Sequence, residues 1–205
     1  MPIARDAAGV IAQMMAGVRR KYARKKEQKA PAEAEVLKAL LATIAGDGLR
    51  AVRDRALLGV GMAGAFRRSE LAAMQLPELK FIASGVRITI LRSKRDQEAL
   101  GQDVAIPEGR HIRPVSLLRE WLAAARLDQV DPATGKPQKG PVFRRLTRSD
   151  EVTDDPITDK TVARLVKAAA LAAGLDPALY SGHSLRAGFL TQAAADRANM
   201  FKMKD

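Results

Sequence analysis

The sequence contains no cysteine. That excludes disulfides, thiolate zinc sites and cysteine nucleophiles together. Histidine occurs only at His111 and His183, which argues against a histidine-rich metal centre. No metal and no cofactor are expected. Long apolar runs are missing as well, and nothing approaches the ~20 residues that cross a bilayer. Met1 opens no signal-peptide pattern: Arg5 and Asp6 interrupt early, and no small-residue cleavage site follows an apolar stretch. The expectation is a soluble cytoplasmic protein with no membrane partner.

What the chain has in excess is positive charge. Its 205 residues carry 35 Lys and Arg against 23 Asp and Glu, a net charge of +12, and the pI is near 10.4. The length fits one domain, or one with a short appendage, and can bury a sizeable core. The contents of 47% hydrophobic and 28% charged residues are ordinary for a globular protein. The charge points to a polyanionic partner, most often nucleic acid; the alternative is charge that serves only solubility. Residues 1–30 hold half of the excess, concentrated in Arg19, Arg20, Lys21, Arg24, Lys25 and Lys26. Such a run reads as an arm that tracks a phosphate backbone, or alternatively as a solvated tail. Pro31 breaks the segment and sets a linker boundary near residues 28–32.

Beyond that boundary the pattern is mostly helical. Val36, Leu37, Leu40, Leu41 and Ile44 share one helical face, closed by Gly46. A strongly apolar helix is predicted over Val52 to Ala63, and a third over Ser69 to Gln75, stopped by Pro77. The period then changes. Val86, Ile88 and Ile90 alternate with other residues as a strand does, and Val104 and Ile106 alternate again before Pro107. The polar stretch Arg92 to Gln102 therefore connects a hairpin. Pro114 starts a helix with Val115, Leu118, Leu122 and Ala125 along its buried stripe. Asp131 to Pro141 is a Pro/Gly/Lys loop. Val162, Leu165, Val166, Ala169, Ala170 and Ala173 mark another amphipathic helix, closed by Gly174, and a last helix runs from His183 into Ala195. No internal repeat occurs. The fold class is α+β: a helical body with a small antiparallel sheet on one side.

Gly59-Val60-Gly61-Met62-Ala63-Gly64 matches the dinucleotide-binding glycine pattern. That pattern has meaning only between a strand and a helix. Residues 53–58 are helical in pattern, so these glycines are read as small residues that allow close helix packing. No P-loop and no nucleophile-elbow pattern is present.

Three phrases remain. Phe66-Arg67-Arg68-Ser69-Glu70-Leu71 opens a helix after a Gly/Ala turn. Arg92-Ser93-Lys94-Arg95-Asp96-Gln97-Glu98 sits on the hairpin connection. Ser181-Gly182-His183-Ser184-Leu185-Arg186-Ala187-Gly188 opens the last helix, with His183 and Arg186 one turn apart. Each alone also reads as surface charge or packing. In this order and setting they resemble the catalytic domain of tyrosine recombinases, the phage-integrase family.

The resemblance implies metal-free DNA strand cleavage and rejoining through a 3′-phosphotyrosine. It assigns Arg67 and Arg186 to the non-bridging phosphate oxygens, and paired guanidinium donors suit that charge. It makes Lys94 the acid for the leaving 5′-oxygen and His183 a phosphate ligand that assists proton transfer. Glu70, one turn after Arg67, matches a supporting acidic position. Arg68 and Arg95 receive no chemistry and are left as DNA-backbone or surface charges, Arg95 being grouped with the arm as a DNA contact. The partner implied is double-stranded DNA, bound in the complete enzyme by a homotetramer in the nucleoid. On this reading, residues 1–31 are a basic helix and linker left from a core-binding domain, and 32–205 an integrase-like catalytic domain that is incomplete at its C-terminus.

One departure bears on activity. The family's attacking tyrosine follows the His-x-x-Arg helix, yet no Tyr, His or Trp follows Arg186 here, and only Tyr22 and Tyr180 occur at all. Tyr180 precedes His183 and suits packing; Tyr22 lies in the basic arm. The expectation is a chain without a nucleophile, inactive in cleavage. An alternative is an integrase remnant that only binds DNA or regulates recombination; a third is a helical DNA-binding transcription factor with chance motif matches.

Overall fold

A computed structural model describes residues 34–90, 101–109 and 112–180. In chain order the described elements are α1 (Ala34–Ala42), α2 (Leu49–Ala63), α3 (Arg68–Ala73), a single 3-10 turn (Leu76–Glu78), β1 (Leu79–Ile82), β2 (Gly85–Ile90), β3 (Gln102–Pro107), α4 (Pro114–Ala124), β4 (Arg144–Leu146), β5 (Val152–Pro156) and α5 (Asp159–Ala172). The class is α+β, as the patterning predicts.

Helix α2 runs through the middle. Ala56 to Met62 are all buried, the signature of a helix with neighbours on every side. One side joins a core with Phe66, Leu71, the inward faces of β2 and β3 (Val86, Ile88, Ile106), and Leu118 and Trp121 of α4. The other side, through Leu58 and Met62, joins Leu37 and Leu40 of α1, Val166, Ala169 and Ala170 of α5, and Tyr180. Trp121 is fully buried, and its indole N–H donates to the Val142 carbonyl at 2.8 Å. That bond satisfies the ring's one polar atom and ties α4 to the segment leading into β4. Gly59 and Gly61 of the glycine run lie inside α2, and Gly64 caps it. A Cβ at Gly59 would sit 2.9 Å from Leu117 Cδ1, and one at Gly64 only 2.1 Å from the Phe66 ring. The glycines serve close packing, as the sequence context indicates.

The sheets exceed the sequence reading. The predicted hairpin is present, β2 and β3 pairing antiparallel from Gly85↔Pro107 to Ile90↔Gln102. An additional edge strand, β1, pairs with β2, and β4 and β5 form a separate two-stranded hairpin. Both were missed for a physical reason. β1 is four residues long, too short for alternation to register, and three of the five residues of β5 (Val-Thr-Asp-Asp-Pro) are exposed. The third helix also differs. It ends at Ala73, ahead of Pro77, which sits inside the 3-10 turn. The last predicted helix, from His183, lies outside the described residues.

Candidate functional site

Arg67 owes its position to the way α2 ends. Gly64 caps the helix, Ala65 N–H bonds the Met62 carbonyl at 3.0 Å, and Phe66 N–H reaches back to Gly61 at 3.1 Å. This is a Schellman stop. Its left-handed position is Ala65, at φ 50°, where glycine is the usual occupant. Phe66, the next residue, is fully buried. The chain then turns straight into α3 with Arg67 as its N-cap residue. No slack residue separates the two helices, so the backbone at Arg67 is fixed from both sides.

Glu70 fixes the side chain. Its Oε2 accepts from the Arg67 backbone N–H at 2.7 Å, the return half of a capping box. Its Oε1 accepts from Arg67 Nη1, forming an ion pair. The Glu70 side chain is 6% exposed and that of Arg67 25%. The carboxylate is thus internal, while the guanidinium keeps a solvent-facing edge. A guanidinium braced on one side by a carboxylate and open on the other is preorganised for an oxyanion.

The next residue, Arg68, has a structural partner: Nη2 lies 3.9 Å from Asp159 Oδ2 in the first turn of α5. Sequence patterning cannot reveal that pair, which spans 91 positions. Lys94 and Arg95 belong to the 91–100 connection between β2 and β3 and lie outside the described residues. So do His183 and Arg186, and the arm residues Arg19, Arg20, Lys21, Arg24, Lys25 and Lys26. Tyr180 is 8% exposed, within the second core cluster.

Two buried cations were not anticipated, Arg53 and Arg144. Arg53 pairs with Asp54 at 2.7 Å and donates to the Arg144 carbonyl at 3.1 Å. Arg144 pairs with Asp154 at 2.5 Å and donates to the Lys139 and Pro141 carbonyls. Together they fasten α2 to the β4–β5 hairpin. Burial pushes the Asp54 carboxyl above its ordinary value of 3.8, with Arg53 acting against the shift. Beside it lies a groove of about 590 Å3 between Ile44, Ala51, Asp150, Leu165 and Ala172. There, among the described residues, Asp150 Oδ1 is buried without a hydrogen-bond partner. Among the described residues, no group of three or more acidic or histidine side chains could hold a metal ion. No helix among them is long and apolar enough to cross a membrane.

An α+β body of helices packed around α2 with two small antiparallel sheets is the form of a tyrosine-recombinase catalytic domain. Comparison with known proteins bears this out. The phage integrase family model matches residues 32–201. An integrase/recombinase XerD homolog from Selenomonas ruminantium is 38% identical over 188 residues, 91% of this chain and 52% of that protein. Among solved structures, the XerH site-specific recombinase in a pre-cleavage complex with its difH substrate aligns with a TM-score of 0.64 at 19% identity. That alignment covers 88% of this chain and 47% of XerH. The lambda integrase catalytic core aligns with a TM-score of 0.55 at 16% identity, covering 85% of this chain and 88% of the core. The chain belongs to the phage integrase family and has the fold of the tyrosine-recombinase catalytic domain. It spans about half the length of the XerD homolog and of XerH.

Proposed function

We propose that this chain binds duplex DNA as the catalytic domain of a site-specific recombinase. Arg67, Lys94, His183 and Arg186 surround one backbone phosphate. Arg67 and Arg186 hold the non-bridging oxygens, and His183 donates a further hydrogen bond. Lys94 supplies the proton that the 5′-oxygen takes as its bond to phosphorus breaks. Glu70 positions Arg67. Residues 1–31 form a basic arm whose Arg19, Arg20, Lys21, Arg24, Lys25 and Lys26 lie along the backbone, and Arg95 adds a contact beside Lys94. The full-length enzyme works on DNA as a homo-oligomer.

The observation that carries this reading is the bracing of Arg67. A surface arginine kept for solubility needs neither a fixed backbone on both sides nor a 6%-exposed carboxylate beneath its guanidinium. The 205-residue chain, on this proposal, grips DNA without cleaving it. Cleavage needs a hydroxyl in line with the leaving oxygen. Tyr180 is buried in the core, and Tyr22 belongs to the basic segment, upstream of every site motif in the sequence.

The test is incubation of the purified 205-residue chain with a nicked suicide duplex at low salt. Binding without a covalent protein–DNA adduct is expected, and binding should weaken steeply as salt rises. An adduct would show that Tyr22 or Tyr180 attacks. Failure to bind at low salt would overturn the DNA reading itself.

A further inference from the structure

The base of the β4–β5 hairpin is anchored in the core. Phe143 and Ile157 are both buried, and Ile157 N–H donates to the Phe143 carbonyl at 3.0 Å. The tip is held differently. It closes on itself: Thr147 N–H donates to the Glu151 carbonyl at 2.9 Å, Asp150 N–H to the Thr147 carbonyl at 3.3 Å, and Glu151 N–H to Thr147 Oγ1 at 3.1 Å. Arg148, Ser149 and Glu151 are exposed, and none of residues 147–151 joins either apolar cluster.

What the tip brings to α2 is charge. Gly48, the N-cap of α2, offers no side-chain cap, and the first turn of the helix holds no acidic residue. The Asp150 carboxylate takes that place from across the chain. Its Oδ2 lies 3.0 Å from where a Cβ on Gly48 would stand. The positive end of the helix dipole favours a negative charge there. Arg50, in the same first turn, adds a second hold. Its Nη2 donates to the Thr147 carbonyl at 3.2 Å. Its Nε stands 4.0 Å from Asp150 Oδ1, an ion-pair distance too long for a hydrogen bond. Asp150 keeps its place at a left-handed φ of 62°, which Asp and Asn tolerate better than other L-residues, and glycine best. Arg148 and Asp150 also form one wall of the groove of about 590 Å3, whose far wall holds Leu165 and Ala169 of α5.

We propose that the 147–151 turn is a lid over this groove, latched by Asp150 at the N-terminus of α2 and opening about the anchored base of the hairpin. The latch is electrostatic. The Arg50 and Asp150 side chains are 54% and 37% exposed, so solvent and salt weaken their attraction. A segment without apolar anchors, held by such contacts, opens locally well before the fold is lost. The lid is independent of DNA binding: it concerns the face between α2 and α5 and needs no polyanion to close it.

The chain has no cysteine, so Ala169→Cys places a single thiol in the groove, at a position that is 4% exposed. The test is the rate at which a soluble aromatic disulfide labels that thiol. The 205-residue chain is compared with Asp150 retained, with Asp150→Asn and with Asp150→Gly. Urea unfolding of each protein separates lid opening from loss of global stability. Labelling should accelerate about 2–5-fold in both variants, the loss of one charge–dipole contact. Glycine relieves the left-handed backbone, so the urea midpoint of Asp150→Gly should not fall. Added salt should speed labelling of the parent more than of either variant, after correction for the rate with a free thiol. Unchanged labelling in both variants would overturn the latch and leave Asp150 as a turn residue alone. Acceleration that only follows a lower urea midpoint would overturn the lid. Where Ala169→Cys does not fold, Ala51→Cys on the α2 wall of the groove takes its place, with the same outcomes.

Discussion

Glu70 holds Arg67 at two points, through the backbone N–H at 2.7 Å and through the guanidinium. One carboxylate thus closes the first turn of α3 and aims the side chain that starts it. Glu70→Ala should destabilise the fold by about 1 kcal/mol, the usual cost of a lost cap. Glu70→Gln should cost less, because glutamine can still accept from the N-cap N–H. Urea unfolding of the two variants gives the order directly. Equal losses would mean that the backbone bond contributes nothing.

Ala65 is strained by its side chain. A left-handed conformation costs an L-residue about 1–2 kcal/mol, and Ala65 adopts it at φ 50°. Ala65→Gly should therefore stabilise the chain by about 1 kcal/mol, after allowing for the greater freedom of glycine in the unfolded state. A rise in the urea midpoint at unchanged slope is the expected signature. A fall would mean that the turn prefers alanine for reasons other than φ.

Gly64, the C-cap of α2, and Gly59 inside the helix should respond differently to alanine. At Gly64 the new methyl meets the Phe66 ring at 2.1 Å, a rigid group fully inside the core, and overpacking of about 1–3 kcal/mol is expected. At Gly59 the obstacle is the flexible Leu117 Cδ1 at 2.9 Å. There the clash is smaller, and the helix propensity of alanine offsets part of it. Thermal melts of Gly64→Ala and Gly59→Ala should differ in that sense.

The class of fold and most helices were legible because their apolar stripes are regular and their ends carry Gly or Pro. Leu37, Leu40, Val162 and Val166 all fall where the period puts them. β1 and the β4–β5 hairpin were not legible. Their strands are short, and their places depend on partners far along the chain, such as the Arg53 bond to the Arg144 carbonyl across 91 positions. Of the candidate site, Arg67 and Glu70 were indicated by the family resemblance of their phrase, and their three-residue spacing at a helix start lets them pair. The Schellman stop that fixes Arg67 was not legible, because alanine at Ala65 hides a left-handed turn that glycine would have advertised.

Glu78 supplies a pH test. Burial raises its carboxyl above 4.5, opposed by the hydrogen bond from the Gln75 N–H. A raised folded-state pKa means that the folded form resists ionisation more than the unfolded chain does. The Glu78 contribution to stability therefore falls as pH rises from 4.5 through the raised value. Glu78→Gln should flatten that part of the pH–stability curve and leave the chain no less stable at neutral pH. A steeper curve in the variant would contradict the assignment to burial.

Arg67 is proposed to act on one DNA phosphate together with Arg186. The direct measurement is a crystal structure of this chain with a duplex bound. The prediction is one backbone phosphate within hydrogen-bond distance of both guanidiniums, with Glu70 still against Arg67. Guanidiniums too far apart for one phosphate to touch both would contradict it.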